Sequence, residues 1–381
     1  MTKVDFDRLK MQVKTPAFVF DSAYMDHILV KLNRLSSQSG CKILFSIKSL
    51  PLEFVLKQAD AMVDGFSVSS LFEARFTRGL NFQNSSLHLT TPGLRGDEIV
   101  ELGQLCQYLS FNSLGQFQRM ISQLPETCSP GLRINPELSF AEDIRYDPCR
   151  QYSKLGVPLQ DLVQCWPEGI RGLHFHTLFG SRLITPLLQT VELIEAKLGK
   201  YLSDLDWINL GGGYLFDDEF DATVLIDLVR RLRERYGVEV FIEPGKALVG
   251  RAGFLVASVI DLFCSGDKDI AILDTSINHN PEVFEYQQTP TLYEHNQNGA
   301  YTAILAGSTC LAGDLFGEYR FMQPLQLNDQ VIFTNVGAYS LIKANRFNGY
   351  NLPDIYSVNG NQLTLVKHYD YQHYQQQWLS D

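Results

Sequence analysis

Short apolar segments alternate with amphipathic segments through the first two thirds of the chain, and this alternation limits the possible folds. Segments with helical periodicity, such as 52–61, 71–80 and 186–198, separate the apolar runs. About eight strand and helix repeats of this kind close into a parallel (β/α)₈ barrel, so we predict an α/β protein with a TIM-like barrel. The apolar runs are 43–47, 62–68, 87–90, 106–111, 131–135, 170–176, 207–210 and 238–242.

An open, doubly wound sheet is the alternative that gives a similar alternation. We favour the barrel because the repeat count fits it and because no GxGxxG nucleotide-binding motif follows the first strand. From about residue 253 the pattern changes to apolar runs separated by turn residues, such as FLVASVIDLF and YTAILAGS, which is typical of a β domain. We predict a barrel over 23–252 and a β-rich domain formed by 1–22 together with 253–381.

Composition limits the compartment and the partners. The seven cysteines show no CxxC spacing, which argues against a disulfide framework or a zinc knuckle. The net charge is −11 without a long basic run, so nucleic acid and membranes are not expected partners, whereas cationic ligands are easier to accommodate. No apolar run is long enough to span a bilayer, and the first residues lack a signal-peptide pattern, so we expect a cytoplasmic protein.

Polar residues follow the predicted strands at the points where the strands end. In a barrel these ends lie on one face and build the active site, so the side chains are expected to share a pocket. They include Lys48, Ser67, Thr91, Asn112, Arg133 with Asn135, His176, Gly211 to Gly213, and Glu243 with Gly245 shortly after it.

Lys48 follows the apolar run that begins at Ile43 and is the first of these residues. Most lysines are solvated surface charges, and that is the alternative here. An ammonium at the end of a buried strand loses hydration, which lowers its pKa and makes the amine a nucleophile for a carbonyl.

Three other strand ends suit one cofactor. The glycines Gly211 to Gly213 allow backbone N–H groups to approach a phosphate, although a tight turn explains them as well. His176 offers a flat ring for stacking. Glu243 ends a buried strand and needs a cationic partner, which a protonated pyridine nitrogen supplies. Combined with an amine for an aldehyde, these features predict pyridoxal phosphate.

The pair His174 and His176, in HFHT, permits a different hypothesis, because both side chains lie on the same face of a strand. A metal site would need further ligands, for which Glu243 or Asp274 could serve. We expect no metal, since no Cys/His set of metal-ligand spacing converges with them. Metal-dependent hydrolysis in a barrel is the function that this pair would otherwise indicate.

The β-rich domain contributes candidates of its own. STCLAGD brings Cys310 and Asp314 together in a glycine-flanked turn, with a buried inert thiol as the alternative for Cys310. GAYS adds Tyr339, and FNGYNLP adds turn residues that can donate hydrogen bonds.

The motifs together resemble those of the alanine racemase-like, fold type III pyridoxal phosphate enzymes, within the ornithine and diaminopimelate decarboxylase superfamily. The similarity covers nearly the whole chain in order, through TPAFVFD, FSIKSL, GLRIN, FHT, GGGY, EPG, STC and GAYS with FNGY. Within the superfamily the chain is most similar to carboxynorspermidine (carboxyspermidine) decarboxylases, on HFHTL, EPGKALV, DTSINHNPEV and STCLAGD.

The resemblance implies roles for these residues in polyamine biosynthesis. Lys48 would anchor the cofactor covalently, His176 would stack on it, Gly211 to Gly213 and Tyr339 would contact its phosphate, and Glu243 would hold the pyridine nitrogen. Cys310 would be the general acid. Asp314 would bind the distal amine of a cationic carboxylated polyamine. Apart from the resemblance, we regard Asp274, His279 and Asn280 as further candidates for holding its distal ammonium groups. Arg133 and Gly245 complete the predicted cofactor site. A homodimer with two shared active sites is implied as well.

Three departures from the superfamily pattern matter. Leu178 and Phe179 replace the Gly-Ser that follows the stacking histidine in ornithine decarboxylases, and Lys246 replaces the arginine after EPG. No acid directly follows Cys310, which weighs against ornithine or diaminopimelate as the main substrate. Two rival hypotheses are decarboxylation of diaminopimelate, ornithine or lysine, and a catalytically silent paralogue that binds the cofactor.

Overall fold

The computed structural model describes residues 4–82, 85–141 and 143–380. The chain forms two compact units, one of Met1–His27 with Leu248–Asp381 and one of Ile28–Ala247. The domain limits predicted from the sequence stay a prediction. They differ from the compact units in residues 23–27 and 248–252, which belong to the first unit.

Strands occur in both units and are numbered in chain order over the described residues. They are β1 (Ala17–Asp21), β2 (Lys42–Ser46), β3 (Gly65–Val68), β4 (Ser86–Thr90), β5 (Tyr108–Phe111), β6 (Ser129–Asn135), β7 (Val157–Pro158), β8 (Gly172–His174), β9 (Trp207–Asn209), β10 (Glu239–Ile242), β11 (Gly253–Ser265), β12 (Lys268–Leu273), β13 (Tyr301–Ala306), β14 (Leu315–Phe321), β15 (Gln330–Thr334), β16 (Asp354–Asn359) and β17 (Gln362–Lys367).

The α-helices are numbered in the same way. They are α1 (Phe6–Gln12), α2 (Ser22–Ser39), α3 (Glu53–Asp60), α4 (Leu71–Gly79), α5 (Ile99–Leu105), α6 (Leu114–Met120), α7 (Leu159–Gln164), α8 (Thr185–Leu202), α9 (Thr223–Tyr236), α10 (Lys246–Val249), α11 (Glu282–Tyr286), α12 (Ser340–Lys343) and α13 (Tyr371–Gln376). None of the described helices is both long and apolar enough to cross a membrane.

The unit of residues 28–247 is a closed parallel barrel. Strands β2, β3, β4, β5, β6, β8, β9 and β10 pair in that order, and β10 pairs with β2 to complete the ring. β7 is a two-residue strand outside the ring that pairs with β6. The barrel predicted from the sequence is confirmed. Because all eight strands are parallel, their C-terminal ends lie on one face.

Trp207 fills the interior near the N-terminal ends of the strands. A Cβ atom at Gly172 would lie 2.1 Å from its indole ring, and one at Gly131 would lie 2.5 Å away. The indole Nε1 donates a hydrogen bond of 2.9 Å to Ser129 Oγ. Two glycines on neighbouring strands therefore make room for one large ring, which packs with Leu44 and Phe241.

The other unit is built on a mostly antiparallel sheet. Its strands follow the order β14, β13, β12, β11, β1, β16, β17, and β15 pairs with β11 outside that path. The early run PAFVFD forms β1, which pairs antiparallel with β11 and parallel with β16. The predicted β-rich domain after the barrel is confirmed.

Candidate active site

Lys48 lies in a single 3₁₀ turn, Ile47–Ser49, immediately after β2. Its side chain is accessible to solvent, yet protein groups crowd its surroundings. This desolvation lowers the pKa of the ammonium, and Arg133 lowers it further, whereas Glu243 and Glu73 act in the opposite direction. The amine is therefore easier to deprotonate than that of an ordinary lysine, which a nucleophile requires.

Glu243 is buried at the end of β10. Its Oε1 accepts a hydrogen bond of 2.8 Å from Nδ2 of Asn209, the last residue of β9. Its Oε2 lies 3.8 Å from His174 Nε2, beyond hydrogen-bond distance. One carboxylate oxygen is thus fixed by the protein, and the other can accept a hydrogen bond from a further donor.

The glycine turn follows β9 and packs tightly against the neighbouring strands. A Cβ at Gly212 would lie 2.3 Å from the carbonyl oxygen of Glu243, and one at Gly213 would lie 2.2 Å from that of Leu178. Gly211 and Gly213 also have positive φ, 68° and 98°. Only glycine satisfies both the close approach and this backbone geometry.

The N–H groups of the turn are not equivalent. The N–H of Gly211 donates a hydrogen bond of 2.9 Å to Asn209 Oδ1, and the N–H of Gly212 donates one of 3.0 Å to His176 Nδ1. Both groups are therefore used within the protein. Of the three glycines predicted to contact phosphate, only Gly213 keeps its N–H without a partner among the described residues. The N–H groups of Gly211 and Gly212 orient the side chains of Asn209 and His176, and the predicted phosphate contact of the turn stays a prediction.

His176 lies two residues beyond the end of β8 and is held by that contact with Gly212. Burial lowers its pKa to about 3, and the neighbouring Lys48 and Arg133 charges act in the same direction. The ring is consequently neutral at physiological pH. Because Nδ1 accepts the Gly212 hydrogen bond, the ring proton is on Nε2.

Arg133 and His174 complete this part of the site. Arg133 on β6 is adjacent in register to His174 on β8. The Nε of Arg133 and both ring nitrogens of His174 are buried without hydrogen-bond partners in the described part of the chain. Burial lowers the pKa of both groups, so His174 is neutral. Buried polar atoms of this kind ordinarily have partners.

This arrangement fits a phosphorylated pyridine aldehyde. It offers an amine for the aldehyde, a carboxylate oxygen for the pyridine nitrogen, a neutral ring for stacking and a glycine turn without room for side chains. Gly245 adds a further close approach, because a Cβ there would lie 3.2 Å from Ser49, next to Lys48. The fold and these groups define the class of barrel enzymes that use pyridoxal phosphate.

Cys310 belongs to the β-rich unit and lies in the turn between β13 and β14. Its thiol is exposed, which removes the alternative of a buried inert cysteine. The backbone N–H of Cys310 donates 2.8 Å to Asn348 Oδ1, so the FNGY segment holds the Cys310 turn. An exposed thiol on a fixed turn can act as a proton donor.

Asp314 is placed differently from our expectation. Its carboxylate is 2% exposed and accepts hydrogen bonds from Ile277 N, Ser276 Oγ, Thr309 N and Thr309 Oγ1. These donors occupy both oxygens. In this arrangement Asp314 holds the Cys310 turn to Ser276 and Ile277, and its predicted contact with a substrate amine stays a prediction.

The other three predicted substrate residues are also engaged inside the β-rich unit. Asp274 Oδ1 accepts from Ser258 N at 2.8 Å, and burial raises the pKa of this carboxyl. His279 Nδ1 lies 2.9 Å from Thr275 Oγ1, and Asn280 Oδ1 accepts from Ser340 Oγ at 3.0 Å. His279 and Asn280 are buried. These contacts support a packing role for all three residues, and their expected role in substrate binding stays a prediction.

Tyr339 is half-buried and has a left-handed backbone, with φ of 64°, at the start of α12. Lys343 Nζ lies 5.9 Å from its ring centroid. Its predicted phosphate contact stays a prediction. In the barrel unit, Lys246 Nζ lies 5.6 Å from the ring centroid of Phe179, which in turn stacks on Tyr146.

No group of three or more His, Cys, Asp or Glu side chains in residues 4–82, 85–141 and 143–380 is arranged to hold a metal ion. His174 and His176 both lie on or just beyond β8, yet Nδ1 of His176 is occupied by Gly212. The donor geometry thus does not support the metal-dependent alternative.

Sequence reasoning missed Asn209 and Glu73. Asn209 is polar at the end of a strand, which is the same signal that selected its neighbours. Glu73 lies in the first turn of α4. Its carboxylate accepts a hydrogen bond of 2.6 Å from the N–H of Ser69, and its own N–H donates a hydrogen bond to Ser70 Oγ. The pattern S-x-x-E before an apolar segment predicts the N-cap hydrogen bond of Ser70, but not the charge interaction of Glu73 with Lys48.

Comparison with known proteins places the chain in a family. A family model described as "Pyridoxal-dependent decarboxylase, C-terminal sheet domain" matches residues 17–337. The chain is 31% identical to the carboxynorspermidine/carboxyspermidine decarboxylase of Campylobacter jejuni, over 95% of this chain and 98% of that protein. It is 32% identical to the carboxyaminopropylagmatine decarboxylase of Synechocystis, over 94% of each.

A solved structure agrees with these relatives. The crystal structure of carboxynorspermidine decarboxylase from Campylobacter jejuni, complexed with norspermidine, superposes with a TM-score of 0.87 at 30% identity, covering 96% of this chain and 100% of that one. The chain belongs to the pyridoxal-dependent decarboxylase family. The enzyme class, the cofactor and the family expected from the sequence are confirmed.

Proposed function

We propose that the enzyme decarboxylates carboxynorspermidine, carboxyspermidine or both, and so produces norspermidine or spermidine. The observation that supports this most directly is the 31% identity, across nearly the full length of both chains, to a decarboxylase named for these substrates. The Lys48, Glu243 and glycine-turn geometry supplies the machinery that such a reaction needs.

Pyridoxal phosphate supplies an electron sink for the pair left on Cα when the bond to the carboxylate breaks and CO₂ departs. Lys48 would hold the cofactor through its amine. Glu243, with Oε1 fixed by Asn209, would accept a hydrogen bond from the pyridine nitrogen. His176 would lie against the ring as a neutral imidazole. The Cys310 thiol would deliver one proton to Cα, which replaces the lost carboxylate.

A second substrate is suggested by another relative. The Synechocystis carboxyaminopropylagmatine decarboxylase is as similar to this chain as the Campylobacter enzyme, at 32% against 31% identity. Both names denote a carboxylated amine with a long cationic tail, so the two proposals share their chemistry and differ only in that tail. Diaminopimelate decarboxylase of Neisseria meningitidis is more distant, at 21% identity.

The test is product analysis. Purified enzyme loaded with pyridoxal phosphate is incubated separately with carboxynorspermidine, carboxyspermidine, carboxyaminopropylagmatine, diaminopimelate, ornithine and lysine, and products are followed by mass spectrometry. We expect the highest kcat/KM with a carboxylated triamine and no product with Lys48→Ala. Lysine formed from diaminopimelate as the main product would contradict the substrate assignment, and no product from any compound would support a silent paralogue.

We also propose that two copies assemble with shared active sites, so that Cys310 of one copy serves the barrel of its partner. The exposure of the Cys310 thiol is compatible with this arrangement. Mixing Lys48→Ala with Cys310→Ala protein under conditions that exchange subunits tests it, because mixed dimers would contain one intact site. Random mixing should restore about a quarter of wild-type activity. Failure to restore activity, with mixed dimers verified by differential tags, would contradict sharing.

A further inference from the structure

Asn209 is 1% exposed at the end of β9, and both ends of its side-chain amide are used. The N–H of Gly211 can only donate, so the atom that faces it must be the amide oxygen, Oδ1. The amide nitrogen, Nδ2, is then directed at Glu243 Oε1. The glycine turn therefore decides which way the amide of Asn209 is oriented.

This orientation has a consequence for Glu243. Nδ2 is a donor and cannot accept, so it favours an unprotonated oxygen at Oε1. A protonated Oε1 would place two donors against each other. Because the group is buried, a mismatched contact would be costly, whereas a hydrogen bond to a carboxylate is among the stronger ones.

The backbone N–H of Gly212, the next residue of the turn, orients a side chain that follows β8. Gly212 N–H is directed at Nδ1 of His176 and so fixes the imidazole as the Nε2–H tautomer. Two successive backbone N–H groups thus set the hydrogen-bonding state of two side chains, one through Asn209 and one directly.

We propose that Asn209 is a positioning residue for the decarboxylation: together with the Gly211 N–H it holds Oε1 of Glu243 and leaves Oε2 as the acceptor toward the pyridine nitrogen. This inference rests on the proposed function, in which Glu243 pairs with the cofactor. Asn209 acts through Glu243. The groups that also face Glu243 electrostatically are Lys48 after β2, Arg133 on β6, His174 on β8 and Tyr214 beyond the glycine turn.

Two variants separate this role from a structural one. Asn209→Ala removes the donor to Glu243 and the acceptor for Gly211. Asn209→Asp keeps an acceptor for Gly211 but places a second carboxyl beside Glu243, and the two groups must then share a proton or repel each other. Ser129→Ala is the matched control, since it removes a hydrogen bond to Trp207 at the opposite end of the barrel.

The first measurement needs no substrate. Apo protein is titrated with pyridoxal phosphate, and the absorption spectrum of the holoenzyme is recorded across pH. We expect weaker cofactor binding with Asn209→Ala than with Ser129→Ala. We expect a new pH-dependent spectral transition with Asn209→Asp, because the shared proton leaves as the pH rises.

The second measurement is steady-state turnover of the holoenzymes. We expect Asn209→Ala to lower kcat by about 10–100-fold with little change in KM, by analogy with residues that orient metal-ligating side chains. For Asn209→Asp we expect a kcat that falls with rising pH over a range where the wild type is constant. Ser129→Ala should keep wild-type kcat and pH dependence.

Wild-type cofactor affinity, spectrum and kcat in both Asn209 variants would overturn the proposal. If Asn209→Ala does not fold, the proposal is tested by the pH dependence of Asn209→Asp alone. Absence of that pH dependence would also overturn the proposal. If the wild type decarboxylates none of the substrates while Asn209→Asp shows the spectral transition, the proposed function fails, and the role of Asn209 in holding Glu243 at the cofactor stands.

Discussion

His176 and Gly212 are joined by a hydrogen bond of 3.0 Å in which the imidazole Nδ1 is the acceptor. The contact ties the residue beyond β8 to the turn beyond β9, and burial keeps the ring uncharged by lowering its pKa to about 3. A ring that stays neutral near pH 7 can stack on a flat cofactor. Because its pKa is far below 7, it is not suited to proton transfer at that pH.

The tight approach of Gly213 to Leu178 leads to a first prediction. Gly213→Ala should weaken pyridoxal phosphate binding at least tenfold and destabilise the protein, because its Cβ would lie 2.2 Å from a carbonyl oxygen. Gly237→Ala is the matched control. Gly237 also has positive φ, 73°, but nothing lies within 4 Å of its Cβ position, so only a strain of about 1–2 kcal/mol is expected. Cofactor titration and urea unfolding measure both effects, and equal cofactor affinity in the two variants would contradict the prediction.

Cys310 leads to a second prediction. Cys310→Ala should lower kcat by about 10²–10⁴-fold, the range for loss of a general acid, while pyridoxal phosphate stays bound. The exposed cysteines are Cys165, Cys264 and Cys310. We expect iodoacetamide to inactivate the wild type and a Cys165→Ala/Cys264→Ala double variant at similar rates. Peptide mapping should show that loss of activity follows alkylation of Cys310. Inactivation that tracks Cys264 instead would disprove this assignment.

The buried carboxylate of Asp314 leads to a third prediction. Asp314→Ala leaves the donors of Ser276, Ile277 and Thr309 without their acceptor, so the free energy of unfolding should fall by about 3 kcal/mol. Glu318→Ala, which removes an exposed ion pair with Lys268, should cost less than about 1 kcal/mol. Urea unfolding compares the two variants. Unchanged stability of Asp314→Ala, with a raised KM for the polyamine, would contradict this prediction and support the substrate role of Asp314.

Acidification gives a fourth prediction. Burial lowers the pKa of His279 to about 4, against 6.5 in the unfolded chain. Between these values the unfolded state binds more protons, so this residue makes stability fall as the pH drops through 6.5 toward 4. The loss attributable to His279 between pH 7.5 and pH 5 is about 2 kcal/mol.

His279→Gln should remove that part of the pH dependence. Urea unfolding at pH 7.5 and pH 5 would show a smaller difference for the variant than for the wild type. Identical differences in the two proteins would mean that the His279 side chain is not a buried neutral group in solution.

The fold could be predicted largely from the sequence, because periodicity and strand count are local properties. The limits of individual strands are harder to predict. The apolar run 62–68 predicts one strand, yet β3 begins at Gly65, since the N–H groups of Met62 and Val63 still bond to Ala59 near the end of α3. Apolar character alone does not distinguish the end of a helix from the start of a strand.

The site was predicted less completely, for a physical reason. Lys48, His176 and Glu243 can be recognised as polar residues at strand ends. The engagement of Asp314 cannot, because its donors come from the distant segment of Ser276 and Ile277 as well as from its own turn. The link between Asn209 and Glu243 likewise joins residues 34 positions apart on adjacent strands. Hydrogen-bond partners that depend on three-dimensional register cannot be inferred from spacing.

The packing of Trp207 against Gly131 and Gly172 gives the barrel its own optical reporter. The chain has three tryptophans, and Trp207 is fully buried whereas Trp378 is 64% exposed and Trp166 is partly buried. A protein that retains only Trp207 would show a red shift of emission when the barrel opens. The β-rich unit contains Trp378 alone, and because its ring is already exposed, the emission shift of Trp207 would report unfolding of the barrel by itself.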